Sequence, residues 1–126
     1  INGFMIQGGG YVDYLGKKHT DAALMNEADR SAAAGLKNKR GTVAMARTPD
    51  PHSAAAEFFI NVVDNPALDF KGKTNDKTWG YCVFGKVIQG MDVVDRIKAV
   101  KTSNKRSDFL NLPVKPVIIT DAVQLP

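Results

Sequence analysis

The chain has 126 residues, 44% of them hydrophobic and 24% charged, which describes one globular domain with a buried core and excludes disorder. A net charge of +4 does not by itself indicate nucleic acid, and no apolar run approaches the roughly 20 residues of a membrane-spanning helix. The single Cys82 excludes an internal disulfide and fits a reducing compartment.

Residues 2–7 read as a strand, because Phe4 and Ile6 alternate with Met5 and Gln7. A strand needs neighbours for its backbone, so the expectation is that further strands of the fold lie upstream of Ile1. Gly8-Gly9-Gly10 lacks the spacing and the Lys-Ser/Thr pair of a phosphate loop and reads as a turn. Residues 8–41 form a long connection in which Ala22–Glu27 and Ser31–Leu36 are candidate helical turns. Further strands are predicted at 42–47, 57–62, 82–88 and 117–124. The last carries Val117, Ile118, Ile119 and Val123 between Pro116 and Pro126. The second long connection, 63–81, is of a length that is usually packed or functional.

A helix is predicted over 91–100, where Met91, Val94, Ile97 and Lys98 share one face. Asp92 sits in its first turn, Lys98 and Lys101 at its end, and Gly90 serves as N-cap. The pattern is an antiparallel sheet or barrel with one clear helix and elaborate loops. Five strands fall short of the eight or so in small filled barrels.

Most familiar chemistries fail on spacing. Asp50, His52 and Ser53 are triad residue types, but neighbours in one loop cannot converge as a triad does. His19 and His52 lie far apart, without cysteine pairs or an H-E-x-x-H helix, so no metal site is expected. Cys82 reads as a small buried residue. Lys37, Lys39 and Arg40 read as a solvated loop, with contact to RNA or acidic proteins as the competing reading. What remains is a set of apolar and amide groups on strands: Phe4, Met5 and Gln7, then Met45-Ala46-Arg47, then Phe58-Phe59-Ile60. These can line a shallow groove or simply fill a core. By alternation, Phe58 and Phe59 face opposite sides of their sheet.

Five motifs in order resemble the cyclophilins, the peptidyl-prolyl cis–trans isomerases, and among them the bacterial cytosolic branch. They are Gly3-Phe4-Met5-Ile6-Gln7-Gly8-Gly9, Arg40-Gly41-Thr42-Val43-Ala44-Met45-Ala46-Arg47, Glu57-Phe58-Phe59-Ile60-Asn61, Trp79 through Val87, and Gly90-Met91-Asp92-Val93-Val94. The resemblance spans essentially the whole chain. It implies a mostly β fold, a closed antiparallel barrel of eight strands capped by two helices, with the N-terminal strands and first helix lying ahead of residue 1. It implies one isomerase domain over 1–126, acting without cofactor on X-Pro bonds in peptides and folding proteins. A monomer is implied, in the cytoplasm, with a periplasmic relative as the alternative. No membrane partner and no nucleic-acid partner are expected.

Carried over by position, Phe4, Met5, Phe59 and Leu68 form the proline pocket, with Phe4, Gln7 and Phe59 in the catalytic set. Gln7 orients the family's catalytic arginine and contacts substrate backbone. The main chain of Ala46 and Arg47 holds the residue before the proline. Tyr81 takes a pocket position where many eukaryotic members have histidine.

Three departures from the family pattern stand out. By the resemblance, the catalytic arginine belongs two residues ahead of Ile1, outside residues 1–126, and a non-catalytic proline-peptide binding module is the alternative function. Glu57 replaces a usual glutamine, and could pair with that arginine or favour basic peptides. Ala67 replaces an aromatic residue, often a tryptophan that helps bind cyclosporin, so cyclosporin binding is expected to be weak.

Overall fold

The computed structural model describes residues 1–12 and 15–126. The elements in chain order are β1 (Met5–Gly8), α1 (Ala28–Ala33), β2 (Thr42–Met45), β3 (Phe58–Asn61), a 3-10 turn at Pro66–Leu68, β4 (Val83–Lys86), α2 (Met91–Lys98), β5 (Thr102–Ser103) and β6 (Leu112–Pro113). The long connection expected over 8–41 includes residues 13 and 14, which lie outside the described residues.

Four of the predicted strands are present, each shorter than its hydrophobic run. They form one antiparallel sheet in the order β1-β3-β2-β4. Strand β1 starts at Met5 because residues 1–4 make a turn, with Gly3 at φ +74° and Phe4 N–H donating to Ile1 O at 3.1 Å. On β3, Phe59 lies opposite Gln7 on one side and Ala44 on the other. Directly paired residues share a face. Met5, Gln7, Ala44, Phe59 and Asn61 therefore lie on one face, and Phe58, Ile60 and Ile6 on the other. A bulge between Val43 and Ala44 shifts the register against β4. The core cluster of Ala44, Ala46, Phe59 and Val83 lies on the Phe59 face, with Met5, Leu68 and Tyr81 packed against it.

Helix α2 forms where periodicity placed it, starting from Gly90 as N-cap and burying Val94. It is tied down by Asp95, which receives both terminal nitrogens of Arg40 at 2.9 and 2.8 Å. Lys98 adds a further contact to Asp95 at 3.1 Å. Arg40, and then Lys98, hold the Asp95 carboxyl well below the usual carboxylate range. A depressed carboxylate stabilises the fold above its unfolded value, near 3.9, and that contribution is lost as pH falls through the folded value. Asp95→Asn is expected to unfold at lower urea than the wild type at pH 7. The gap should close as pH drops below about 4. An equal gap at pH 7 and pH 2 would count against this linkage. Within the basic run, Arg40 pairs with Asp95 and Asn38 is buried, while Lys37 and Lys39 are exposed.

Three sequence expectations are corrected. The candidate turn at Ala22–Glu27 is not helical, and that at Ser31–Leu36 is helical only over Ser31–Ala33, the second half of one helix, Ala28–Ala33. Leu24 is drawn into an extended bridge to Ala54, and Gly35, at φ +76°, ends the helix after Ala34. The strand predicted over 117–124 is absent from the ladders. Its Val117, Ile118, Ile119 and Val123 are exposed, and hydrophobic alternation names a face to bury without supplying a partner strand. The closed eight-stranded barrel is likewise not found among the described residues. They form the four-stranded sheet, whose edges are β1 and β4, and a separate two-stranded ribbon, β5-β6. No described helix is long and apolar enough to cross a membrane.

Candidate functional site

The Phe59 face of the sheet carries a hollow of about 110 Å³, the scale of one small side chain rather than of a drug-sized ligand. Its lining comes from four stretches of chain: Phe4, Met5 and Gln7; Ala46 and Arg47; Phe59; and Leu68 with Tyr81. Phe4 and Met5 are neighbours yet both line it. Met5 points there from the strand, and Phe4 sits in the turn before it, its carbonyl held by Val62 N–H at 3.1 Å and Asn65 Nδ2 at 2.9 Å. Phe59 is 1% exposed and forms the floor. The alternation argument holds in part: Phe58 and Phe59 do face opposite ways, but Phe59 serves as core and groove together.

The far wall comes from the 63–81 connection, which buried asparagines fasten to the sheet. Asn61, fully buried on β3, donates from Nδ2 to Asn38 Oδ1 at 3.1 Å and accepts from Asn65 Nδ2 at 2.7 Å. Asn38, 2% exposed, donates from Nδ2 to the carbonyls of Leu68 at 3.1 Å and Tyr81 at 3.3 Å. Tyr81 N–H donates to Leu68 O at 2.9 Å, which brings the two wall residues together. Tyr81 then meets Phe59 edge to face, ring centroids 5.7 Å apart, and Arg47 lies 4.6 Å over its ring.

Glu57 stands apart from the other sequence-predicted site residues. It does not line the hollow; one pleat beyond Phe59, it accepts a hydrogen bond from Gln7 Nε2 at 2.7 Å. It lines a second, open hollow of about 350 Å³ that shares Gln7, Ala46 and Arg47 with the first. Lys17, Lys18, Asp21 and Ser53 are among its other lining residues, and sequence reasoning named none of the four as a site residue. They sit in loops without periodicity, so no spacing signal marked them.

Phe4, Met5 and Gln7, then Ala46 and Arg47, then Phe59, then Tyr81 bring residues of four of the five motifs to one hollow. A family model described as cyclophilin type peptidyl-prolyl cis-trans isomerase matches residues 1–124. The chain belongs to the cyclophilins. It is 54% identical over 119 residues to peptidyl-prolyl cis-trans isomerase B of Escherichia coli, covering 94% of this chain and 69% of that one. A peptidyl-prolyl cis-trans isomerase of Streptomyces antibioticus is 53% identical over 122 residues, covering 97% of this chain and 70% of its own. Among solved structures, a cyclophilin type isomerase of Cryptosporidium parvum superposes with a TM-score of 0.61 at 25% identity, over 96% of this chain and 67% of that one. The cyclophilin fold here is mostly β, with antiparallel sheets and two helices.

Proposed function

We propose that the small hollow takes the proline ring of an X-Pro segment and that the protein accelerates rotation about the preceding peptide bond. Amide resonance sets a barrier of about 18–20 kcal/mol to that rotation. Before proline both isomers are populated and exchange in tens to hundreds of seconds. Rotation breaks no covalent bond, so the residues need only hold the ring, grip the flanking backbone and favour the twisted amide. Phe4, Met5, Phe59 and Leu68 hold the ring. The main chain at Ala46 and Arg47 grips the residue before it. Gln7, with its amide nitrogen given to Glu57, keeps its oxygen as an acceptor.

The observation that carries this reading is the convergence of those apolar side chains, from separate stretches of chain, beside Ala46 and Arg47. Substrates are proline-containing peptides and folding proteins. A cytoplasmic setting rests on the resemblance to the cytosolic branch and on Cys82. The test is exchange NMR on an X-Pro peptide with the full-length protein. Faster cis–trans exchange is expected. Clear binding with unchanged exchange would leave a proline-peptide binding module, and no binding would overturn both readings.

Two expectations concern what the groove selects. Glu57 places a carboxylate beside the proline subsite, favouring peptides with Lys or Arg near the proline. A partly exposed ion pair contributes about 0.2–1 kcal/mol, so Glu57→Gln should lower the kcat/KM ratio of basic to acidic peptides by up to about fivefold. An unchanged ratio would remove Glu57 from selectivity. Ala67, exposed in the Pro66–Leu68 turn next to Leu68, leaves the rim without an aromatic side chain. Cyclosporin is therefore expected to bind no tighter than micromolar in a calorimetric titration; nanomolar affinity would refute this.

A further inference from the structure

The carbonyl of Gly80 accepts two hydrogen bonds, from Arg47 Nε at 3.0 Å and from Asn26 Nδ2 at 3.2 Å. Two donors fill its lone pairs. Gly80 itself has little freedom: its φ is +65°, and a Cβ there would lie 2.6 Å from Asp69 C and Phe70 N. The next residue is Tyr81, whose ring lies under the Arg47 guanidinium. The rest of that guanidinium reaches the carbonyls of Thr48, Pro49 and Asp76 at 3.0 to 3.1 Å. Four carbonyls thus set its orientation, and among them that of Gly80 directly precedes Tyr81 on the groove wall.

Asn26 lies outside the groove lining and is 7% exposed. Besides its bond to Gly80, its Oδ1 accepts from Ala28 N–H at 2.9 Å, and its own N–H donates to His52 Nδ1 at 3.1 Å. In that bond the Asn26 N–H donates and Nδ1 is the acceptor. The His52 ring meets Trp79, the residue before Gly80, edge to face with centroids 4.8 Å apart. His52 also sits in the 48–53 loop whose first two carbonyls Arg47 holds. The contacts close a circuit: His52 to Asn26, Asn26 to Gly80, Gly80 to Arg47, and Arg47 back to the His52 loop.

We infer that Asn26 and His52 are positioning residues for the proline groove, acting through the Gly80 carbonyl on Arg47 and Tyr81. This deepens the isomerase reading and rests on it. Neither residue touches the peptide; together they fix the wall against which it packs. Losing one neutral hydrogen bond from the circuit should weaken peptide binding about three- to tenfold.

The test uses the full-length protein with Asn26→Ala, His52→Ala and His52→Asn. Asparagine can present its Oδ1 where Nδ1 stands, so it keeps the acceptor without the ring. The two alanine variants should raise KM for an X-Pro peptide about three- to tenfold while kcat changes less than about twofold. His52→Asn should return KM to within about twofold of the wild type. His52 is exposed, so its variants should fold even if Asn26→Ala does not. A role in folding alone would lower the active fraction, and with it the apparent kcat, at constant KM. Unchanged KM in His52→Ala, or no recovery in His52→Asn, overturns the inference. A second readout needs no substrate: the Arg47 Nε–H resonance should move in His52→Ala and return in His52→Asn. If the wild type neither binds nor turns over the peptide, the isomerase reading falls, and this resonance alone decides the positioning claim.

Discussion

Replacing Phe59 with alanine is expected to lower the unfolding free energy by about 3–5 kcal/mol and to abolish proline-peptide binding in the same step. Phe59 is 1% exposed, sits on β3 between Gln7 and Ala44, and meets the Tyr81 ring edge to face. Truncation removes the floor of the groove and the centre of the core together. Against a typical total of about 5–15 kcal/mol, the variant should be close to unfolding at 37 °C. Phe59→Leu keeps part of the volume and should cost roughly 1–2 kcal/mol while still weakening the peptide. Urea unfolding with a peptide titration reads both effects. A loss below about 2 kcal/mol in Phe59→Ala would remove Phe59 from the core.

The second large effect should come from a residue that does not itself line the groove. Asn61→Leu removes the donor to Asn38 Oδ1 and the acceptor of Asn65 Nδ2. Asn65 keeps its bond to the Phe4 carbonyl, whereas Asn38 Oδ1 loses its donor in a site 2% exposed. An unsatisfied buried polar group costs about 1–3 kcal/mol, so a loss of about 2–3 kcal/mol is expected here. Asn38 also holds the Leu68 and Tyr81 carbonyls, so peptide affinity should fall with stability. Pairing Asn61→Leu with Asn38→Ala should cost clearly less than the sum of the two, because they share a network. Strict additivity would show that the two asparagines act independently.

The parts of this fold that periodicity made legible are those whose partners are also periodic. Strands β1 to β4 carry alternating apolar residues and pair with one another, and α2 carries a stripe that buries Val94. Residues 117–124 carry an equally good strand pattern and join no ladder, because a pattern specifies a face and pairing needs a neighbour. Helix α1 was misplaced because its end is set by the left-handed Gly35 and its approach by the Leu24–Ala54 bridge. The groove residues are given by resemblance to a family, and the unpatterned 63–81 connection alone does not reveal Leu68 or Tyr81. What no pattern signalled is the support: Asn38 and Asn61 look like ordinary polar loop and strand residues until they are found buried. Glu57, a substrate-binding position by the family resemblance, lines the neighbouring hollow, one pleat from Phe59.

Because Phe59 belongs to the core and to the hollow alike, occupancy and unfolding are thermodynamically linked. A peptide that binds only the folded chain, at about 100 times its Kd, raises the unfolding free energy by about 2.7 kcal/mol. A thermal melt would therefore report ligand without any label. The same linkage acts in the other direction. A chain that loses its core loses its site with it, so a heat-stressed molecule stops capturing peptide at the transition that makes it a candidate client itself.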